Sequence, residues 1–168
     1  MKSIKIWKVI LAIVLVAGLS SFAGVQVASA NNRSGADVIF TKWVTAEAPV
    51  SPSIADMAGV VSGDAGAGLF AGDVLKLSNS SDGNTTYVTA LYHINGGKHP
   101  FTARLDVTQD NTKGTAVLKG KVTDGWMKGA RVSGSYQVIY PSGVINSQTG
   151  GPFSNYVFQG TLHIQRSR

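Results

Sequence analysis

His93 and His99 lie on either side of the turn residues Asn95, Gly96 and Gly97 in the stretch YHINGGKHPF. On two paired strands of a hairpin they fall near one another. With Asp106 or His163 they would supply the imidazole and carboxylate donors that zinc takes. Their spacing matches no specific metal signature, so neither a metal nor another cofactor is expected. An imidazole titrates near neutrality and can move protons at a barrel mouth. The plainer reading places both histidines on the surface or rim, because His93 has the opposite strand parity to Tyr92.

Other catalytic sets are missing from the sequence. No G-x-S-x-G elbow occurs, and GSYQV (134–138) lacks the strand-to-helix context of one. A glycosidase needs two carboxylates across a cleft. Glu47 is the only glutamate, and Asp82, Asp110 and Asp124 lie in turns, where a carboxylate bonds local backbone. GDAGAG (63–68) sits between strand patterns rather than before a helix, so it is no phosphate-cradling loop. DGNT (82–85) lacks the carboxylates of a calcium loop.

Aromatic residues are the remaining candidates. Trp43, Tyr92, Phe101, Trp126, Tyr136 and Phe158 are core formers, and some can line a cavity or stack against a ligand. Tyr92 and Tyr136 fall on inward parity and would orient a ligand through their hydroxyls. Trp126, in the turn-like TDGWMKG, either caps a barrel end or borders the entrance. The candidate ligand-binding residues are therefore Tyr92, Trp126, Tyr136, His93 and His99. No catalytic residue is assigned.

The elements that must position these groups are strands. In FTARLDV, Phe101, Ala103, Leu105 and Val107 alternate with Thr102, Arg104 and Asp106. Similar alternation marks about eight segments: 37–46, 57–62, 69–77, 89–95, 101–107, 115–123, 130–140 and 156–164. Turn formers separate them, as in SDGN, NGGK, QDNTKG and TDGW. These links are too short for crossover helices, so the strands pair antiparallel in a meander. One helical turn is expected at 51–58, capped by Ser53, and the loop 141–154 is a candidate lid.

Four strands carry a glycine at their centre, in FAGDV (70–74), LKGKV (118–122), VSGSY (132–136) and FQGTL (158–162). Interior glycine weakens a strand, but it lets a sheet bend sharply and lets other groups approach the backbone. In each pentad the glycine shares parity with its large apolar neighbours. Side chains removed from the concave face let one sheet coil shut. The expected fold is all-β, an antiparallel meander of about eight strands closed into a small β-barrel after an N-terminal signal-peptide helix.

Residues 1–30 have the three parts of a secretory signal peptide: Lys2, Lys5 and Lys8, an apolar run from Val9 to Leu19, and Ala28-Ser29-Ala30. The run is too short to span a bilayer. Cleavage after Ala30 leaves residues 31–168 as one barrel domain with no stable membrane span. Removing the three leader lysines takes the fifteen basic residues to twelve, against nine acidic ones. These charges are scattered, which argues against a nucleic-acid partner. With no cysteine, the domain is held by its core alone.

GDAGAGLFAGDV (63–74) resembles the glycine-rich hairpin of the allene oxide cyclase and dirigent barrels, with Gly66, Gly68, Phe70 and Gly72 in matching positions. ALYHINGGKHPFTA (90–103) is similar to their paired central strands. The resemblance implies a calycin-like eight-stranded barrel with room for an interior ligand; no catalytic residue of either family has a counterpart. The expected function is that of a secreted barrel binding a small apolar or amphipathic molecule, or a surface glycan. The alternatives are a cyclase or isomerase acting inside the barrel, and a structural or adhesion module without a small ligand.

Overall fold

A computed structural model describes residues 35–45, 49–139 and 156–166. The segment expected to be the signal peptide and the loop 141–154 lie outside the described residues. Eight strands follow one another: β1 (Gly35–Val44), β2 (Ala55–Gly63), β3 (Gly68–Asn79), β4 (Thr85–Gly96), β5 (Phe101–Asp110), β6 (Thr115–Gly125), β7 (Arg131–Ile139) and β8 (Val157–Gln165). Each pairs antiparallel with the next, and β8 returns to β1 to close the barrel. The period-two pattern explains the orientation. Val38, Phe40, Leu105, Leu118, Leu162 and Ile164 point inward and are buried, while their strand neighbours face solvent.

The central glycines interleave with large residues around the interior. Gly160 lies between Phe40 and Tyr136 in register, Gly134 between Leu118 and Leu162, and Gly120 between Leu105 and Val132. Gly72 lies between Met57 and Tyr92, and Gly59 between Lys42 and Phe70. A Cβ on Gly160 would come within 2.7 Å of Tyr136 Cβ and 2.8 Å of Phe40 Cζ. The space at Gly72, Gly120, Gly134 and Gly160 is taken in part by a ring or an aliphatic chain from a neighbouring strand, and at Gly59 by the β1 backbone. This large–small alternation fills a narrow barrel. MAGVV (57–61) has the form of the other four pentads.

Residues 51–58 are not a helical turn. Ser53 spends its hydroxyl donating to the Ala55 carbonyl at 2.8 Å rather than accepting from a helix amide. The backbone is already in the sheet by then. Ile54 N–H donates to the Val74 carbonyl at 2.7 Å, and Thr45 N–H donates to the Asp56 carbonyl at 2.9 Å. Bulges at Leu75 in β3 and Thr123 in β6 shift the register locally. Among the described residues no helix is long and apolar enough to cross a membrane.

Candidate functional site

Among the described residues one charged side chain is buried, that of Lys42, at 5 % exposure. Strand geometry puts it inside. Val38, Phe40, Lys42 and Val44 share one face of β1, so an ammonium occupies a position whose neighbours are core. It pairs in register with Gly59 of β2 and Phe158 of β8. The Nζ atom donates to the Tyr92 hydroxyl at 2.5 Å and approaches Met57 Sδ at 3.2 Å. Four rings surround it: Tyr92 at 4.5 Å, Tyr136 at 5.1 Å, Phe158 at 5.2 Å and Phe70 at 6.0 Å, measured to the centroids.

Two forces oppose one another at this nitrogen. Desolvation by burial pulls the Lys42 pKa from 10.5 down to about 7. The negative faces of the four rings favour the ammonium instead. Among the described residues no carboxylate forms an ion pair with it. Burial raises the Tyr92 phenol well above its ordinary value, and the Tyr136 phenolate adds to that rise. Burial raises Tyr136 as well. Both phenols therefore stay protonated and can donate hydrogen bonds. Tyr136 already gives its proton to Gln109 Oε1 at 2.7 Å.

This cluster lies one inward position from the end of β1, at the barrel end that carries the β3–β4 and β5–β6 turns. Val44, Val88 and Phe158, all partly buried, rim it there. Deeper in, the rings of Phe40, Phe70 and Tyr92 sit 4.9–6.0 Å apart and fill the barrel.

Of the five residues singled out by sequence, the structure gathers Tyr92 and Tyr136 around Lys42. His93 is on the outer wall, its ring nitrogens 3.0 Å from Asp73 Oδ2 and 3.1 Å from Thr102 Oγ1. His99 and Trp126 stack at 4.2 Å at the opposite end, where the Trp126 N–H donates to the Pro100 carbonyl at 2.9 Å. The metal-type set is dispersed. Asp106 accepts from Thr89 and His163 pairs with Asp37 on the wall, and the described residues contain no cluster of three such donors. Strand parity separates His93 from any interior partner, and the β4–β5 turn carries His99 away from it.

Lys42, the centre of the cluster, was not singled out by sequence reasoning. Its signal is parity: TKWV continues the inward face of VIF. Of the aspartates expected in turns, Asp82 and Asp110 bond local backbone amides, whereas Asp124 lies in β6 and its carboxylate faces Lys128 Nζ at 3.4 Å. Asp82 is held below its ordinary value first by the Ser80 hydroxyl and then by the Asn84 amides. Asp110 is held down first by the Lys113 backbone N–H.

A larger concavity, about 710 Å³, runs along the outer wall of β4 to β8. Thr85, Thr108, Thr115, Ser135, Gln137 and Gln159 line it. Strand parity turns these hydroxyls and amides outward, and Tyr136 also borders the groove. Its one carboxylate, Asp110, is already engaged by the Thr112 and Lys113 amides. Size favours this groove; chemistry favours the Lys42 cluster, where a buried amine and two phenols converge. Comparison with known proteins finds no matching family model, curated protein or solved structure. Fold and site together define a closed eight-stranded up-and-down barrel with an amine set in an aromatic interior.

Proposed function

We propose that this is a secreted barrel that binds a small amphipathic molecule with an acidic head group, seated against Lys42, Tyr92 and Tyr136. The observation that carries the reading is the buried Lys42 ammonium without a carboxylate partner among the described residues. A cation in an apolar interior is costly unless it is paired. A ligand carboxylate would provide the missing charge, and the Tyr92 phenol would donate to its oxygens. Val44, Val88 and Phe158 would contact the apolar tail.

The outer wall supports an aqueous life. Arg104, Lys119, Lys121 and Arg131 project outward and are exposed, and each would cost about 2–4 kcal/mol at the midplane of a bilayer. The leader pattern of residues 1–30 supports secretion. The test is calorimetric titration of the secreted protein with dodecanoate, beside Lys42→Met. Native protein should bind, and the variant should bind roughly 10–100-fold more weakly through loss of a charge-assisted contact. Equal affinity of the two proteins would remove the site assignment.

The same ionisable group favours a second reading, a cyclase or isomerase of the allene oxide cyclase kind, which works by holding a reactive substrate in a productive shape. Turnover of a molecule co-purifying from the host would select it over simple binding.

A further inference from the structure

We infer that Lys42 Nζ is a nucleophile that forms an imine with an aldehyde or ketone on an apolar chain. This rests on the binding reading at the same barrel end and deepens it by naming a covalent ligand class.

The geometry supplies the parts of carbonyl condensation. Nζ is an amine among four rings, and the Tyr92 hydroxyl lies 2.5 Å from it. The Nζ lone pair forms a bond to the carbonyl carbon while the C=O π pair moves to oxygen. Tyr92 gives its phenolic proton to that oxygen and takes one from the nitrogen, so the phenol is unchanged and a carbinolamine results. The nitrogen lone pair then forms C=N as the C–O bond breaks. The second amine proton leaves with oxygen, and one water is released. No oxidant or reductant enters.

The environment favours this product. Surface lysines are strongly hydrated ammonium ions at neutral pH and are poor nucleophiles, whereas desolvation keeps a buried lysine partly as free amine. Lys42 is the buried lysine among the described residues, with burial drawing its pKa to about 7. Among the described residues the titratable groups close to it are Tyr92 from β4 and Tyr136 from β7. The neighbours from β2, β3 and β8 are Met57, Phe70 and Phe158, none of which titrates. An uncharged imine also avoids the desolvation penalty of the ammonium.

The experiment incubates the full secreted chain with dodecanal and cyanoborohydride, which fixes an imine as a stable secondary amine. Peptide mapping by mass spectrometry locates the adduct. The expected result is one dodecyl group on Lys42, with labelling that rises with pH through about 7. Lys42→Met should lose the fast phase. Labelling spread over Lys98, Lys113 and other exposed lysines, with Lys42 unmodified in the native chain, overturns the inference without requiring any variant to fold. The two proposals separate cleanly. Lys42-dependent dodecanoate binding without an adduct sinks the imine alone. An adduct on Lys42 that dodecanoate does not suppress supports the imine and sinks the acidic-head reading.

Discussion

Burial of Lys42 makes the stability of the barrel depend on pH. In the unfolded chain its ammonium holds a proton up to the ordinary 10.5, and in the barrel it releases it at about 7. Between those values the unfolded state binds more protons, so stability rises with pH across that window. Below pH 7 the whole penalty applies, and the pKa difference corresponds to roughly 5 kcal/mol. The rise ends near pH 10. The raised phenols of Tyr92 and Tyr136 keep the folded state protonated where the unfolded one ionises, and so reverse the slope. Lys42→Met keeps the apolar stem and removes the charge. It leaves the Tyr92 hydroxyl without its partner, which costs about 1–3 kcal/mol. The net change at pH 7 should be a gain of about 1–3 kcal/mol, read by urea denaturation. The variant should also lose the rise between pH 7 and 10. A variant less stable than the native protein at pH 7 would show that the four rings outweigh desolvation.

The strands illustrate how far alternation carries a sequence reading. The inward faces of β5, β7 and β8 follow from parity, because apolar residues and glycine occupy one face, as far as Val107 in β5. Four glycine pentads were readable for the same reason. The fifth, around Gly59, lies in the expected strand 57–62, but the expected helical turn at 51–58 overlapped its first two residues and it was not grouped with the other four. Ser53 looked like a cap, and the backbone bonds of Ile54 and Thr45 that override it come from distant strands. Lys42 escaped because lysine ordinarily marks the solvent face; its parity with Val38 and Phe40 points inward, and its register against Gly59 and Phe158 bears that out. The site was thus half legible: both tyrosines follow from parity, whereas the charge of the amine they surround spoke against its parity. The glycine positions can be tested directly. Gly160→Val places branched carbons on Phe40 and Tyr136 and should cost about 3 kcal/mol in chemical denaturation. Ser133→Val, on the exposed face of β7, should stay within about 0.5 kcal/mol. Similar costs at the two positions would mean that the inward glycines are not what lets the strands pack.

Closure of the barrel makes the site. Lys42 and Phe70 arrive from β1 and β3, Tyr92 from β4, and Tyr136 and Phe158 from β7 and β8, so residues far apart in the chain meet only because β8 returns to β1. That seam runs from Gly35 opposite Gln165 to Lys42 opposite Phe158. A closed sheet also has no edge on which another chain could template. Were the seam open, β1 and β8 would present unpaired amides to water, and the Phe158 ring would leave Lys42. Native-state hydrogen exchange distinguishes the two arrangements. Backbone amides of β1 directed at β8 should exchange as slowly as those directed at β2, and both should approach the slow rates of β4 and β5, since core pairings open only with global unfolding. Fast exchange confined to the amides that face across the seam, with β2 to β7 protected, would show a sheet that does not close, and the aromatic enclosure of Lys42 would go with it.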